Sequence, residues 1–150
     1  MSLDDDVRLI AKAPLFARLN ADQLRLLAFG GERLAFKQDQ VIFRQGDLAD
    51  FGCVLATGEV EILAATATSN KTLKKLTAPV ILGQMALITQ SARAFTAVAT
   101  TDVSLFRLGR SVFHRMLQEY PETAAAIRAE IARDLKKLLL EIGALEERVG

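Results

Sequence analysis

Leu82-Gly83-Gln84-Met85-Ala86-Leu87 is followed, four residues on, by Ala92-Arg93-Ala94-Phe95-Thr96-Ala97-Val98-Ala99. The second stretch alternates small and larger residues with a period of two, which predicts a strand from Arg93 to Ala99. Arg93 then stands at the start of that strand. Alternation puts Phe95 on the same face as Arg93. Gly83 punctuates the first stretch, at the mouth of a short helix, where a residue without Cβ is free to turn.

Working outward, the same period of two runs from about residue 32 to 108. Leu34 and Phe36 alternate with polar neighbours, and Val41-Ile42-Phe43 is a short apolar run. Two apolar segments, Gly52 to Ala56 and Glu59 to Leu63, flank Thr57-Gly58, which reads as a hairpin-like turn. Ser69-Asn70-Lys71 marks another turn. Strands at Thr72 to Leu76 and Val103 to Leu108 complete the set. Many short strands at regular spacing predict a sandwich or barrel.

Helices bracket this region. Leu3, Val7, Ile10 and Ala11 recur at helical spacing over residues 3–13, with Asp4, Asp5 and Asp6 in the first turn, and Pro14 stops the helix. Asn20 is a good N-cap for a second helix over 20–28, which Gly30-Gly31 ends. After the strands, Arg110-Ser111 opens a helix to about Gln118. Pro121 fits the first position of a long helix running toward Glu147. No repeat or linker divides the chain, so one domain is expected. Its N-terminal helices span about 3–29, its strands 32–108 and its C-terminal helices 110–147.

Composition excludes several classes. With 150 residues, 51% hydrophobic and 25% charged, this is a folding sequence rather than a disordered one. No apolar run reaches membrane-spanning length, and the N-terminus lacks the pattern of a signal peptide. The net charge of +1 carries no basic stripe, so no direct nucleic-acid contact is expected. A lone cysteine, Cys53, excludes an internal disulfide and a cysteine zinc cluster. A cytoplasmic location follows. No metal-ligand spacing and no nucleophile–base pair is visible, so neither a metal cofactor nor an enzyme is expected.

The stretch around Gly83 and Arg93 resembles the phosphate-binding cassette of the cyclic-nucleotide-binding domain family, of the Crp/Fnr catabolite-activator type. Val41-Ile42-Phe43-Arg44-Gln45-Gly46-Asp47-Leu48-Ala49-Asp50 and Gly58-Glu59-Val60 look like that family's paired glycine turns. Ala13-Pro14-Leu15-Phe16 followed by Leu19 fits its entry helix. The resemblance spans roughly residues 9–140 and rests on the order of several motifs. It implies an α+β, mainly β fold: an eight-stranded double-stranded β-helix, a jelly-roll-like β-roll, flanked by N-terminal helices and a long C-terminal helix. It also implies a ligand, cAMP before cGMP. Gly83, Gln84, Met85, Ala86, Arg93 and Ala94 would form the site, with Gln84 toward the ribose 2′-hydroxyl and the backbones of Met85, Ala86 and Ala94 lining the phosphate.

The chemistry of these residues agrees. A guanidinium donates charge-assisted hydrogen bonds to a phosphate, and backbone N–H groups after a glycine approach the same anion. Ala86 and Ala94 leave space for a ligand. Three positions depart from the family pattern. Gln84 stands for the usual glutamate, Phe95 for an alanine and Pro79 for a glycine. An uncharged acceptor at Gln84 lowers affinity by somewhat less than about tenfold. Phe95 either fills core space or narrows the pocket. The alternative for Arg93 is a surface arginine paired with an acid.

In the last helix, Ile131, Leu135, Leu138, Ile142, Leu145 and Val149 recur at spacings of four and three, a heptad seam that Gly143 weakens. The resemblance implies a homodimer through this seam. The alternative is packing against the chain's own strands. The positions that would cover a nucleotide base fall near Leu138 and Leu139, both apolar. His114, Cys53 and Lys136-Lys137 read as a structural or solvated histidine, a buried thiol without an activating cation, and a solvated helix face. The expected function is a sensor that couples cyclic-nucleotide binding to movement of the C-terminal helix. Two alternatives stay open: a ligand-free dimerisation or protein-interaction module of the same fold, and the sensor fragment of a transcription regulator.

Overall fold

The computed structural model describes the backbone of residues 2–65 and 68–149, and the side chains of that set up to 137, together with Leu140. Two helices lead. α1 (Leu3–Ala11) opens with a capping box between Ser2 and Asp5, and its three first-turn aspartates meet the positive end of the helix dipole. Pro14–Phe16 form a 3-10 turn rather than a plain stop. α2 (Ala21–Gly30) is capped by Asn20, whose side chain accepts from the Gln23 N–H while Gln23 Oε1 accepts from the Asn20 N–H at 2.8 Å. Gly31 ends it in extended conformation.

Ten strands follow: β1 (Glu32–Phe36), β2 (Val41–Phe43), β3 (Leu48–Ala49), β4 (Phe51–Thr57), β5 (Glu59–Ala65), β6 (Asn70–Thr77), β7 (Val80–Leu82), β8 (Ser91–Ala92), β9 (Thr96–Ala99) and β10 (Val103–Gly109). One antiparallel sheet has the order β1-β10-β4-β7 and the other β2-β9-β5-β6. The eight strands of these two sheets match the number the resemblance implies, although β7 is not among the strands read from the residues. The additional pair, β3 with β8, has only two residues per strand, too short to show in a hydrophobic period.

Thr57-Gly58 is not a hairpin. β4 pairs with β10 and β7, whereas β5 pairs with β6 and β9. The chain therefore crosses from one sheet to the other at this turn. Gly58 has φ +95°, and a Cβ there would lie 2.5 Å from the Asp102 carbonyl oxygen, so the crossover needs glycine. The expected turn at Ser69-Asn70-Lys71 falls one residue earlier, since Asn70 already belongs to β6. The Ala78–Pro79 peptide bond, in the turn before β7, is cis.

The core has two compartments. Between the sheets lie Cys53, Leu55, Val60, Ile62, Leu82, Ala97, Ala99 and Leu105. On the far face of the first sheet, Val54, Phe106 and Leu108 pack against Leu9, Ile10, Phe16, Leu27, Phe113 and Met116 from the helices. Neighbouring residues of β4 and β10 thus bury opposite faces, which is why those strands read as continuous apolar runs. Phe16 and Phe113 meet edge to face at 6.1 Å, worth about 0.5–1.5 kcal/mol beyond their buried area.

The last helices are α3 (Arg110–Glu119) and α4 (Pro121–Val149). Ala124, Ile127 and Ile131 seat α4 on the helical side of the core. Gln23 Nε2 donates to Thr123 Oγ at 3.0 Å, and Arg18 pairs with Glu130 at 3.6 Å. Ile131, the first residue of the expected seam, is fully buried in its own chain and so is not available to a partner. Leu135 is half-buried; the side chains of Leu138, Leu139, Ile142, Leu145 and Val149 lie outside the described residues.

Candidate functional site

Gly83 closes β7 and turns the chain with φ +68°, a left-handed conformation that glycine adopts without strain. Gln84–Leu87 then form one 3-10 turn, whose first internal hydrogen bond runs from the Ala86 N–H to the Gly83 carbonyl at 3.1 Å. The N–H groups of Gln84 and Met85 precede that bond and have no partner within the turn. Ala86 and Leu87 are buried, while Met85 packs partly on the helical core. The Ala86 methyl is therefore core rather than open space for a ligand.

Arg93 does not begin a strand. It lies between β8 and β9, where its N–H donates to the Asp47 carbonyl at 2.7 Å and its carbonyl accepts from the Gly46 N–H at 2.8 Å. These bonds to the 44–47 loop replace strand pairing. The alternation that put Phe95 on the face of Arg93 does not apply, because Arg93 lies outside β9. Arg93 turns inward over the Phe43 and Phe51 rings, and Phe95 is half-buried against the same inter-sheet core. Ala94 is exposed.

Nor is Arg93 a surface residue paired with an acid. It is only 6% exposed and makes no ion pair among the described residues. Nη2 donates to the Phe51 carbonyl at 2.7 Å. The guanidinium carbon lies 4.1 Å from the Phe43 ring centre and 4.5 Å from that of Phe51. Nη1 stands where a Cβ on Gly83 would be. Burial pulls the guanidinium below its ordinary pKa, against the opposing fields of nearby charges that include Asp50 and Asp47. Arginine keeps its proton in such settings, so a buried cation faces Gly83.

Gln84 meets α4. Its Nε2 donates to Asp134 Oδ2 at 2.9 Å, and its Oε1 is buried without a hydrogen-bond partner among the described residues. The structure brings together Gly83, Gln84 and Arg93; Ala86 is buried within the same turn, and Ala94 is exposed beside Arg93. Sequence reasoning missed Phe43, Phe51 and Asp134. Nothing local marks the two phenylalanines as partners of an arginine. Asp134 did carry a signal, because Ile127, Ile131 and Asp134 recur at i, i+4 and i+7, which continues the buried stripe of α4 to an exposed carboxylate.

Cys53 is buried in β4, and burial pushes its thiol up to about 12 against the opposing fields of Arg93 and Arg107. The fold does bring two cations near it, which sequence spacing did not show, and burial outweighs both. Two grooves lie away from the cassette. One of about 700 Å³ is lined by Gly31, Asp50, Arg107, Arg110, Ser111 and His114 among others. A smaller one of about 260 Å³ lies between α3 and α4 and also touches His114.

A glycine-led turn stands against a buried arginine, and α4 reaches that turn at Gln84. The chain matches the family model described as cyclic nucleotide-binding domain over residues 33–120, and it belongs to that family. It is 31% identical over 124 residues to a cAMP-dependent protein kinase regulatory subunit of Candida albicans, covering 83% of this chain and 26% of the relative. It is 29% identical to a cyclic AMP receptor protein of Thermus thermophilus, covering 89% and 62%. The chain thus spans less than two thirds of either relative. The solved structure of a cyclic nucleotide-binding-like protein from Brucella abortus superposes with a TM-score of 0.68 at 37% identity, covering 77% of this chain and 99% of that one.

Proposed function

We propose that this domain binds a cyclic purine nucleotide, cAMP before cGMP, with the phosphate at Arg93 and the Gly83–Ala86 turn, and that binding shifts α4. The observation that carries this reading is a buried guanidinium without an ion pair among the described residues, held against Gly83. A desolvated cation of this kind gains most from an anion delivered to it. The N–H groups of Gln84 and Met85 add neutral donors on the same side. No bond is made or broken in this role, so the domain acts as a sensor and not as an enzyme, in the cytoplasm.

Titration calorimetry with cAMP and cGMP tests the reading. Binding by the wild-type protein and at least about 100-fold weaker binding by Arg93→Ala are expected, as for a lost charge-assisted pair. Absence of binding at millimolar nucleotide overturns it.

A second reading keeps the fold without a ligand. Arg93 already has the Phe51 carbonyl and Gln84 Nε2 already has Asp134, so each has one partner from within the chain. Homodimerisation through α4 is compatible with either reading. With Ile131 committed to its own core, the seam available to a partner starts at Leu135 and continues in sequence through Leu138, Ile142 and Leu145.

A further inference from the structure

Helix α4 reaches the cassette through one polar contact, and that contact uses the side chain a nucleotide would need. The Gln84 amide spends its Nε2–H on Asp134, fifty residues away, while Oε1 stays buried and unpaired. An unpaired buried acceptor costs free energy and is improved by any donor that reaches it. A ribose hydroxyl is such a donor, but it needs the amide turned toward it. Asp134 holds the amide toward the helix instead. The contact also accounts for glutamine at this position: a glutamate would put two carboxylates at hydrogen-bonding distance, where they repel.

We propose that Asp134 is a positioning residue that sets nucleotide affinity through Gln84. It competes with the ribose hydroxyl for the amide and holds α4 down until the nucleotide displaces it. This rests on the nucleotide-binding reading above. Ile127 and Ile131 remain in the core on either side of the exchange, so displacement lifts only the helix beyond Ile131. The binding free energy for cyclic nucleotide is thereby reduced by the strength of the latch, since a ligand shifts such an equilibrium only by its differential affinity for the two states.

The test compares wild type, Asp134→Ala and Gln84→Glu with two probes, cAMP and 2′-deoxy-cAMP, by calorimetry. Asp134→Ala is expected to tighten cAMP roughly three- to tenfold, the scale of one charged hydrogen bond net of its alternatives. It tightens 2′-deoxy-cAMP less, so the ratio of the two affinities widens. A purely structural role for Asp134 does not move that ratio, and an unchanged ratio with both nucleotides bound overturns the proposal alone. Failure of wild type and Asp134→Ala to bind either nucleotide at millimolar concentration overturns the functional reading and this proposal with it. Hydrogen exchange without ligand is the independent arm. Amides of residues 132–137 are expected to exchange faster in Asp134→Ala and in Gln84→Glu, whereas those of 124–129 are unchanged. Exchange as slow as wild type in both variants shows that no latch exists.

Discussion

At the scale of single residues, the cassette depends on two atoms' worth of space and one desolvated charge. Gly83 supplies the space. An alanine there must adopt a left-handed backbone, costing about 1–2 kcal/mol, and must displace Arg93 Nη1. Gly83→Ala is therefore expected to lower the unfolding free energy by about that amount, read as a lower urea midpoint at constant m, and to weaken cyclic-nucleotide binding by more than the stability loss accounts for. A variant with a lower midpoint and wild-type affinity contradicts this placement of Arg93. Cys53 makes a prediction of its own. Its thiol is ordinarily near 9.0 and stands at about 12 in the fold. Above pH 9 the unfolded chain releases this proton while the folded chain keeps it, so the folded state binds more protons there. Stability from this group is intact below pH 9 and is lost as pH rises toward 12. Cys53→Ala is expected to flatten the alkaline limb of stability, read from urea midpoints at pH about 8 and about 10.5. Equal alkaline losses in the two proteins would contradict it. Arg93 itself was legible as a candidate site residue because glycine and arginine stand at a telling spacing. Its inward direction was not, since the hydrogen bonds that turn it come from Asp47 and Gly46 in another loop.

At the scale of elements, helix boundaries were the most legible feature. Asn20 with Gln23, and Ser2 with Asp5, form caps from residues three apart, so the signal and the structure occupy the same few positions. Strand existence was almost as readable, because alternation is local. Strand partnership was not. Thr57-Gly58 has the composition of a hairpin turn, yet β4 and β5 belong to different sheets. What selects the crossover is the close approach of Gly58 to Asp102 and Val103, more than forty residues away along the chain. Gly58→Ala combines a positive φ with contacts that include a backbone oxygen. It is expected to destabilise the domain by about 2–4 kcal/mol, more than Gly83→Ala, measured by urea or thermal unfolding. A loss below about 1 kcal/mol would mean that the crossover relaxes easily.

At the scale of the whole molecule, one helix stripe serves two purposes. From Ala124 to Ile131 it completes the core, and Leu135 opens the part that continues beyond it. Periodicity alone does not reveal the division, since the spacing of four and three continues unbroken through Ile131. Sedimentation velocity across a concentration series tests the dimer: a concentration-dependent shift is expected for wild type and its loss in Leu138→Asp, with unchanged circular dichroism. A monomer at every concentration assigns the stripe to its own chain. The hydrogen bond between Gln84 and Asp134 sits close to the division, so under the proposed reading a nucleotide that displaces Asp134 would also free the start of the seam.

By itself the sequence determined the helices and where they start, most of the longer strands, and that a glycine and an arginine share a short span. Those properties arise from propensity, capping and alternation, which act between residues a few positions apart. Only the tertiary structure decided that β4 and β5 part company, that Arg93 lies between Phe43 and Phe51 without an ion pair among the described residues, and that Gln84 hydrogen-bonds Asp134 of α4. Each of these joins residues some forty to fifty positions apart. Their pairing is set by how two sheets and a helix stack, and no local pattern carries that information.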